Sequence, residues 1–157
     1  MFKKIKPYAI SILIALGVGG LSALLTRGNM DLYREIKTPP LAPPSILFPI
    51  VWTLLYILMG ISAAMIYQSR TSDFKKRTAA LATYASSLVV NFAWSIIFFK
   101  FRAFFLAFIW LLLLLYLIVK TILQYKEINK IAAYLQIPYA LWVTFAGYLT
   151  FGIWILN

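Results

Sequence analysis

The sequence predicts an all-α membrane protein, a five-transmembrane-helix bundle that forms one domain over residues 1–157. The chain is 63% hydrophobic and 12% charged, and its mean hydropathy is +0.87, whereas a soluble domain of this size is far more polar. A transmembrane helix needs about 20 apolar residues. Five apolar blocks of about that length contain no charged residue: 7–26, 46–67, 79–99, 103–119 and 131–156.

The first block, residues 7–26, follows a basic start and therefore has the outline of a secretory signal peptide. Its apolar stretch is longer than the roughly 7–15 residues of a signal-peptide core, and no small-x-small cleavage site stands out. We therefore interpret this block as the first transmembrane helix rather than as a cleaved leader.

A proline-rich loop leads directly into the second block. Trp52 and Tyr56 lie four residues apart in that block and so share one helix face. A stiff extended loop joined to an aromatic-faced helix can roof a cavity that the helix lines. Five prolines fall within eleven positions, the last of them in the first turn of the helix, where a missing N–H is harmless: Pro39, Pro40, Pro43, Pro44 and Pro49.

In the third block, polar and aromatic residues recur at helical spacing. Asn91 is the most polar group deep inside a predicted span, and an amide at that depth needs a partner in another helix or a ligand. Taken alone, Asn91 favours a hydrogen bond between helices. The residues that share its face are Tyr84, Ser87, Trp94, Ser95 and Phe98.

The fourth and fifth blocks differ in length and in their tryptophans. The fourth block has only 17 residues, the short limit for a span. Trp154 suits the belt of aromatic residues at a membrane surface, whereas Trp110 and Trp142 lie within their spans, and Trp52 is open to both interpretations. Pro138 predicts either a kink in the fifth helix or a membrane part that begins after a short interfacial turn.

Basic residues predict the orientation of the bundle. Ten lysines and arginines lie on the side of the N-terminus, and five lie on the side of the proline loop. We therefore expect a bacterial cell-membrane protein with a cytoplasmic N-terminus and an outside C-terminus. The net charge of +11 then serves mostly to anchor the protein to membrane lipids, and nucleic-acid binding is disfavoured because the charge is split between two faces.

The composition excludes several kinds of chemistry. The chain has no cysteine and no histidine, so disulfides, thiolates and the commonest haem and zinc ligand are missing. The four acidic residues lie in loops, which weighs against ion-coupled transport. We expect no metal site and no tightly bound cofactor.

Small residues in the third block, Ala79, Thr83 and Ser87, form a seam that lets helices approach closely. Such a seam either closes the bundle or forms a homodimer. The second block offers a comparable seam at Gly60 and Ala64.

Four segments together resemble the TspO/MBR family of tryptophan-rich sensory proteins and translocator proteins: PPLAPP, FPIVWTLLYILMG, NFAWSIIFF and PYALWVTFAGYLTFGIWILN. The resemblance runs from about Tyr33 to Asn157. It implies a five-helix bundle whose pocket opens toward the loop between the first two helices. It also implies binding of porphyrins such as protoporphyrin and of hydrophobic drug-like ligands.

The resemblance assigns pocket and loop positions on this chain. The lid loop would contain Pro39, Pro40, Pro43 and Pro44. The chain departs from the family pattern at Leu41 and Thr150, where tryptophan and asparagine are frequent. The ligand-binding positions would be Trp52, Tyr56, Asn91, Trp94, Trp142 and Ala146.

Three functional hypotheses follow. The first is a tetrapyrrole receptor or sensor in which Trp52 and Trp142 stack on the macrocycle, while propionates reach Arg34, Lys37 or Arg102. The second is light- and oxygen-dependent porphyrin degradation, in which the same two tryptophans take part. The third is a passive carrier of porphyrin or lipid-like molecules.

Overall fold

The computed structural model describes residues 2–26, 32–69 and 73–157. The prediction of an all-α membrane protein is confirmed, since five stretches are long and apolar enough to cross a membrane. The first, second and fourth of these are α1, α3 and α5. The third combines α4 with a π-helical segment, and the fifth combines α6 with α7. The helices are α1 (Phe2–Thr26), α2 (Leu32–Glu35), α3 (Leu47–Tyr67), α4 (Phe74–Ser95), the π-helix Ile96–Lys100, α5 (Phe104–Lys126), α6 (Lys130–Leu135) and α7 (Ile137–Leu156).

Three helices extend beyond the predicted blocks by more than one residue, because those blocks were ended at charged residues. The first of them, α1, begins at Phe2 rather than at residue 7. α4 begins at Phe74, where the Asp73 side chain caps it by accepting a hydrogen bond from the Lys76 backbone N–H at 3.1 Å. α5 continues past residue 119 to Lys126. Lysine is tolerated at such ends because its apolar stem reaches from the membrane toward water.

The spanning helices pack as a closed ring. α1 contacts α3 and α4, α4 contacts α5, and α5 contacts α6 and α7, while α6 also contacts α3. The Trp110 indole N–H donates to the Val90 carbonyl at 2.8 Å and so ties α5 to α4. Trp110 therefore has a structural role between helices, in agreement with its position inside a span.

The contact between α1 and α3 depends on two glycines. A Cβ at Gly60 would lie 2.5 Å from the Ile12 Cα, and a Cβ at Gly19 would collide with the ring of Tyr56. Small residues let helix backbones approach this closely. The Tyr56 ring therefore lies directly against α1, which places its hydroxyl inside the bundle.

The fifth span is broken at Gln136, between α6 and α7. Pro138 lies in the first turn of α7, where its missing N–H costs no helical hydrogen bond. Of the two expectations for Pro138, the structure shows a short helix followed by a restart. The break sets the direction of α7 and of the face that it turns to the bundle.

The other end of α4 is also irregular. Residues Ile96–Lys100 form the π-helix, in which the Phe101 N–H reaches back to the Ile96 carbonyl at 3.2 Å. Such widened turns occur frequently at functional sites. This one places Phe98 in the core, next to Trp94.

We expect Gly60→Ala to lower the thermal unfolding midpoint of the detergent-solubilised protein, because the new methyl group meets the backbone of Ile12. Overpacking of this kind costs about 1–3 kcal/mol. Gly17→Ala is the matched control, since nothing lies within 4 Å of a Cβ at that position. Equal midpoints for the two variants would contradict the close contact of α1 with α3.

Candidate functional site

A cavity of about 340 Å³ lies among α1, α3, α4 and α7, at the end of the bundle that carries the proline loop. Small-molecule sites usually measure roughly 300–1,000 Å³, so this volume falls at the lower end of that range. Its lining is mainly apolar and aromatic. The residues that line it are Leu16, Gly19, Gly20, Ser22, Ala23, Thr26, Ser45, Phe48, Pro49, Trp52, Thr53, Tyr56, Asn91, Trp94, Ser95, Phe98, Phe99, Ala146, Leu149, Thr150 and Ile153.

Two aromatic groups line this cavity from different helices. On α3, the rings of Trp52 and Tyr56 have centroids 5.6 Å apart. On α4 and the π-helix, Trp94 stacks on Phe98 with a centroid distance of 5.2 Å and an interplanar angle of 23°. Ring pairs at such distances hold each other in place, so both walls are organised before a ligand arrives.

Asn91 forms the polar floor of the cavity. Its side-chain amide donates to the hydroxyl oxygens of Tyr56 and Tyr139, each at 3.2 Å. The partner in another helix that the sequence favoured is therefore present twice, on α3 and on α7. Because Asn91 also lines the cavity, the same amide borders any ligand bound there.

Tyr139 is a site residue that the sequence analysis missed. It is almost fully buried, bonds to Asn91, and its ring lies 6.3 Å from that of Trp52. The sequence signal that could have identified Tyr139 was its spacing on α7. Positions 139, 143, 146 and 150 recur at helical intervals, and the structure shows all four buried. Extending the face of Ala146 back by two turns finds Tyr139.

The structure brings five of the six predicted ligand-binding residues together at the cavity: Trp52, Tyr56, Asn91, Trp94 and Ala146. Trp142 lies outside the lining. Its ring contacts Phe48 edge-on at 5.8 Å, and Phe48 lines the cavity. Trp142 is thus one layer removed, because it is offset by one residue from the buried position Val143.

The proline loop is fastened to the end of α7. The Tyr148 hydroxyl donates to the Pro40 carbonyl at 2.6 Å. The Asn157 side chain accepts from the Lys37 N–H at 3.1 Å and donates to the Lys37 carbonyl at 2.8 Å. Pro39 is buried against Gly152, where a Cβ would lie 2.6 Å from the proline ring. These contacts hold the loop over one end of the bundle.

The predicted lid prolines hold the loop rather than face the cavity. The lining contains none of Pro39, Pro40, Pro43 and Pro44; the segment that follows them contributes Ser45, Phe48 and Pro49. Leu41, where the family often has tryptophan, has a left-handed backbone with φ of 72° and is 84% exposed.

Two of the basic residues expected to meet propionates, Lys37 and Arg102, are exposed and lie outside the cavity lining. Arg102 pairs with Glu35 at 3.2 Å, and both side chains are exposed. This ion pair links α2 to the turn before α5, where Arg102 has a φ of 52°. The Lys37 residue is exposed, and the side chain of Arg34 lies outside the described part of the structure.

The three threonines in the lining, Thr26, Thr53 and Thr150, are bonded within their own helices. Thr150 donates to the Ala146 carbonyl at 2.7 Å, and Thr53 donates to the Pro49 carbonyl at 2.7 Å. In contrast, the indole N–H of Trp94 is buried and has no partner among the described residues. Trp94 is therefore the available donor for an acceptor atom on a ligand.

The described lining of the cavity contains no aspartate, glutamate, histidine or cysteine. Within the described ranges, no group of three or more histidine, cysteine, aspartate or glutamate residues is placed to hold a metal ion. The arrangement can therefore bind a flat apolar molecule between aromatic rings, with the Trp94 N–H and the Asn91 amide as polar contacts.

Five spanning helices around an aromatic cavity define an integral membrane protein with an internal cavity. The model of the TspO/MBR family matches residues 9–155, and the chain belongs to this family. The resemblance identified from the sequence is thereby confirmed.

Relatives from bacteria and animals agree with this assignment. The chain is 34% identical to "Tryptophan-rich protein TspO" of Chlorobaculum tepidum, over 100% of this chain and 99% of that protein. It is 31% identical to "Protein CrtK" of Rhodobacter capsulatus, over 96% of this chain and 92% of that protein. It is 33% identical to "Translocator protein" of Bos taurus, over 92% of this chain and 85% of that protein.

We expect Asn91→Leu to lower the free energy of unfolding by about 1–3 kcal/mol, because two buried tyrosine hydroxyls lose their donor. Thermal or denaturant unfolding in detergent measures the change. Thr144→Leu is the control, since that side chain is exposed and its hydroxyl donates to the Ala140 carbonyl within its own helix. A loss for Thr144→Leu as large as that for Asn91→Leu would contradict the assigned role of Asn91.

Proposed function

We propose that this protein is a membrane receptor or sensor that binds tetrapyrroles, with protoporphyrin as the leading candidate, and also hydrophobic drug-like molecules. The observation that carries this proposal is one cavity lined by Trp52 and Tyr56 on one side and by Trp94 and Phe98 on another. Relatives that carry the names tryptophan-rich and translocator protein support a small-ligand role.

A macrocycle suits the chemistry of this cavity. Its flat apolar face stacks favourably on tryptophan and tyrosine rings. The chain has no histidine or cysteine, so binding uses the ring rather than an iron atom. The cavity volume of about 340 Å³ is small, so we place the polar edge of the ligand outside the enclosed part, toward the loop.

Carboxylates on that edge would then meet the basic rim. Lys37 lies in the loop, and Arg102 is held near it by Glu35. A bidentate guanidinium–carboxylate pair is stronger than the single hydrogen bond of 3.2 Å from Arg102 to Glu35, so a propionate could compete with Glu35 for Arg102. Ligand binding would thus exchange the Glu35 carboxylate for a ligand carboxylate at the rim.

The remaining parts of the proposal concern the membrane and assembly. We place the N-terminus in the cytoplasm and the proline loop outside a bacterial cell membrane, on the distribution of basic residues. In the seam of the third block, Thr83 and Ser87 are buried in the bundle, whereas Ala79 is exposed. A homodimer formed through α4 would instead use the exposed residues Ala82 and Ser86.

A second candidate function is photo-oxidative breakdown of the bound porphyrin. Trp52 favours it, because this oxidisable side chain lines the cavity and lies 5.6 Å from Tyr56 and 6.3 Å from Tyr139. In this candidate, light and oxygen drive the reaction and the protein supplies the aromatic surroundings. Loss of the porphyrin Soret absorbance in the dark, or equal loss with Trp52→Phe under light, would contradict it.

We expect Trp52→Phe and Trp94→Phe to weaken protoporphyrin binding about three- to tenfold, because each loses ring area and Trp94→Phe also loses the N–H donor. Trp142→Phe has a smaller effect, since Trp142 contacts the lining only through Phe48. The measurement is a titration in the dark that follows the porphyrin absorbance, so the tryptophan count does not affect the signal.

Trp154→Phe is the matched control for this titration. The ring of Trp154 packs on Phe105 and is 42% exposed, and Trp154 is outside the cavity lining. If Trp52→Phe and Trp154→Phe bind protoporphyrin equally well, the cavity is not the porphyrin site. Far-ultraviolet circular dichroism establishes that every variant is folded.

A further inference from the structure

Beyond the cavity floor, toward the end of the bundle that carries α6, several buried polar groups have no hydrogen-bond partner among the described residues. These groups are the hydroxyls of Tyr84 and Tyr125, both polar atoms of the Gln136 side chain and the side-chain oxygen of Gln124. Tyr84, Tyr125 and Gln136 are 7%, 0% and 1% exposed, and Gln124 is half-buried. Unpaired polar groups are costly inside a protein, and more so in a membrane.

These groups belong to a polar file that starts at the cavity. Tyr84, Ser87 and Asn91 follow one another at helical spacing on the buried face of α4. Tyr84 lies on α4 and Tyr125 on α5, and these two helices pack against each other, as do α5 and α6. The file therefore leads from the Asn91 amide to α5.

The helix break brings the remaining group into the interior. Gln136 lies at the junction of α6 and α7, three residues before Tyr139, whose hydroxyl accepts from Asn91. A glutamine at this position ends one helix and precedes the next, and its side chain is nevertheless buried. Neither the cavity lining nor the proposed ligand contacts use this side chain.

We propose that Tyr84, Tyr125 and Gln136 line a buried hydration site, a binding site for ordered water that continues the polar file of Asn91. The chemistry of the three groups suits water. A tyrosine hydroxyl both donates and accepts, and a glutamine amide offers two donors and an acceptor. Buried waters typically make two to four such bonds to groups that the protein leaves unpaired.

Other occupants fit this set less well. A cation needs oxygen ligands of higher charge, and no carboxylate belongs to the file, since the described acidic residues lie in loops or at helix ends. A lipid or macrocycle would meet polar groups where it requires apolar contacts. The water links the hydroxyls to one another and gives the cavity floor a hydrogen-bonded path toward the α6 end.

The first test detects water at Gln136 directly. The protein is labelled with 15N at glutamine, reconstituted in lipid bilayers, and studied by water-edited solid-state NMR. We expect magnetisation to pass from water to the Gln136 side-chain amide, although the residue is 1% exposed. Gln68, half-buried at the end of α3, is the positive control, and Gln136→Met assigns the signal. Transfer to Gln68 without transfer to Gln136 would overturn the proposal.

The second test removes one hydroxyl at a time. Loss of a hydroxyl that binds water leaves that water short of a partner, so Tyr84→Phe and Tyr125→Phe are expected to lower the thermal unfolding midpoint by a few degrees and to weaken transfer to Gln136. Loss of a dry, unpaired hydroxyl would leave the midpoint unchanged or raise it, and that result for both variants would overturn the proposal. Tyr116→Phe, on the same helix as Tyr125 and 61% exposed, is the control. If a variant fails to fold, the NMR measurement on the wild-type protein alone tests the proposal.

Discussion

The bilayer requires that backbone and side-chain polar groups find their partners inside the protein, and the Asn91 amide meets this requirement for three helices at once. Its two bonds, to the hydroxyls of Tyr56 and Tyr139, join α4 to α3 and α7 at the centre of the bundle. A cavity can persist beside this point because the helices that surround it are tied together at its floor. The close contact of α1 with α3 at Gly60 completes the enclosure on the remaining side.

The other end of the cavity is determined by contacts of a different kind. There the chain is irregular, and the proline loop is held by the end of α7 through Tyr148 and Asn157. Proline limits the conformations that this loop loses on folding, so a few hydrogen bonds suffice to order it.

Much of this structure was predictable because a membrane-spanning helix requires a long apolar segment, which is easily recognised in the sequence. Apolar block length predicts the five spans, and four-residue spacing predicts that Trp52 and Tyr56 share a face. Charge was a poor guide to helix ends, since lysines continue α5 to Lys126. The place of Trp142 was less predictable, because a single-residue offset on a helix separates the lining from the layer behind it. That offset depends on where the helix restarts at Gln136, which the sequence left open between two alternatives.

The two halves of the bundle interior are lined by different kinds of side chain. Near the loop, aromatic rings line the cavity, and the hydroxyls of Thr26, Thr53 and Thr150 are bonded to their own helices. Beyond Asn91, the buried residues carry hydroxyl and amide groups that lack protein partners. In the proposed binding mode, an apolar ligand would gain contact area only as far as Asn91. Beyond Asn91 it would displace water from polar groups and offer them no hydrogen-bond partner. Hydrogen bonding rather than shape would then limit the depth of binding, and the ligand would occupy the loop end of the bundle without opening a path through the membrane.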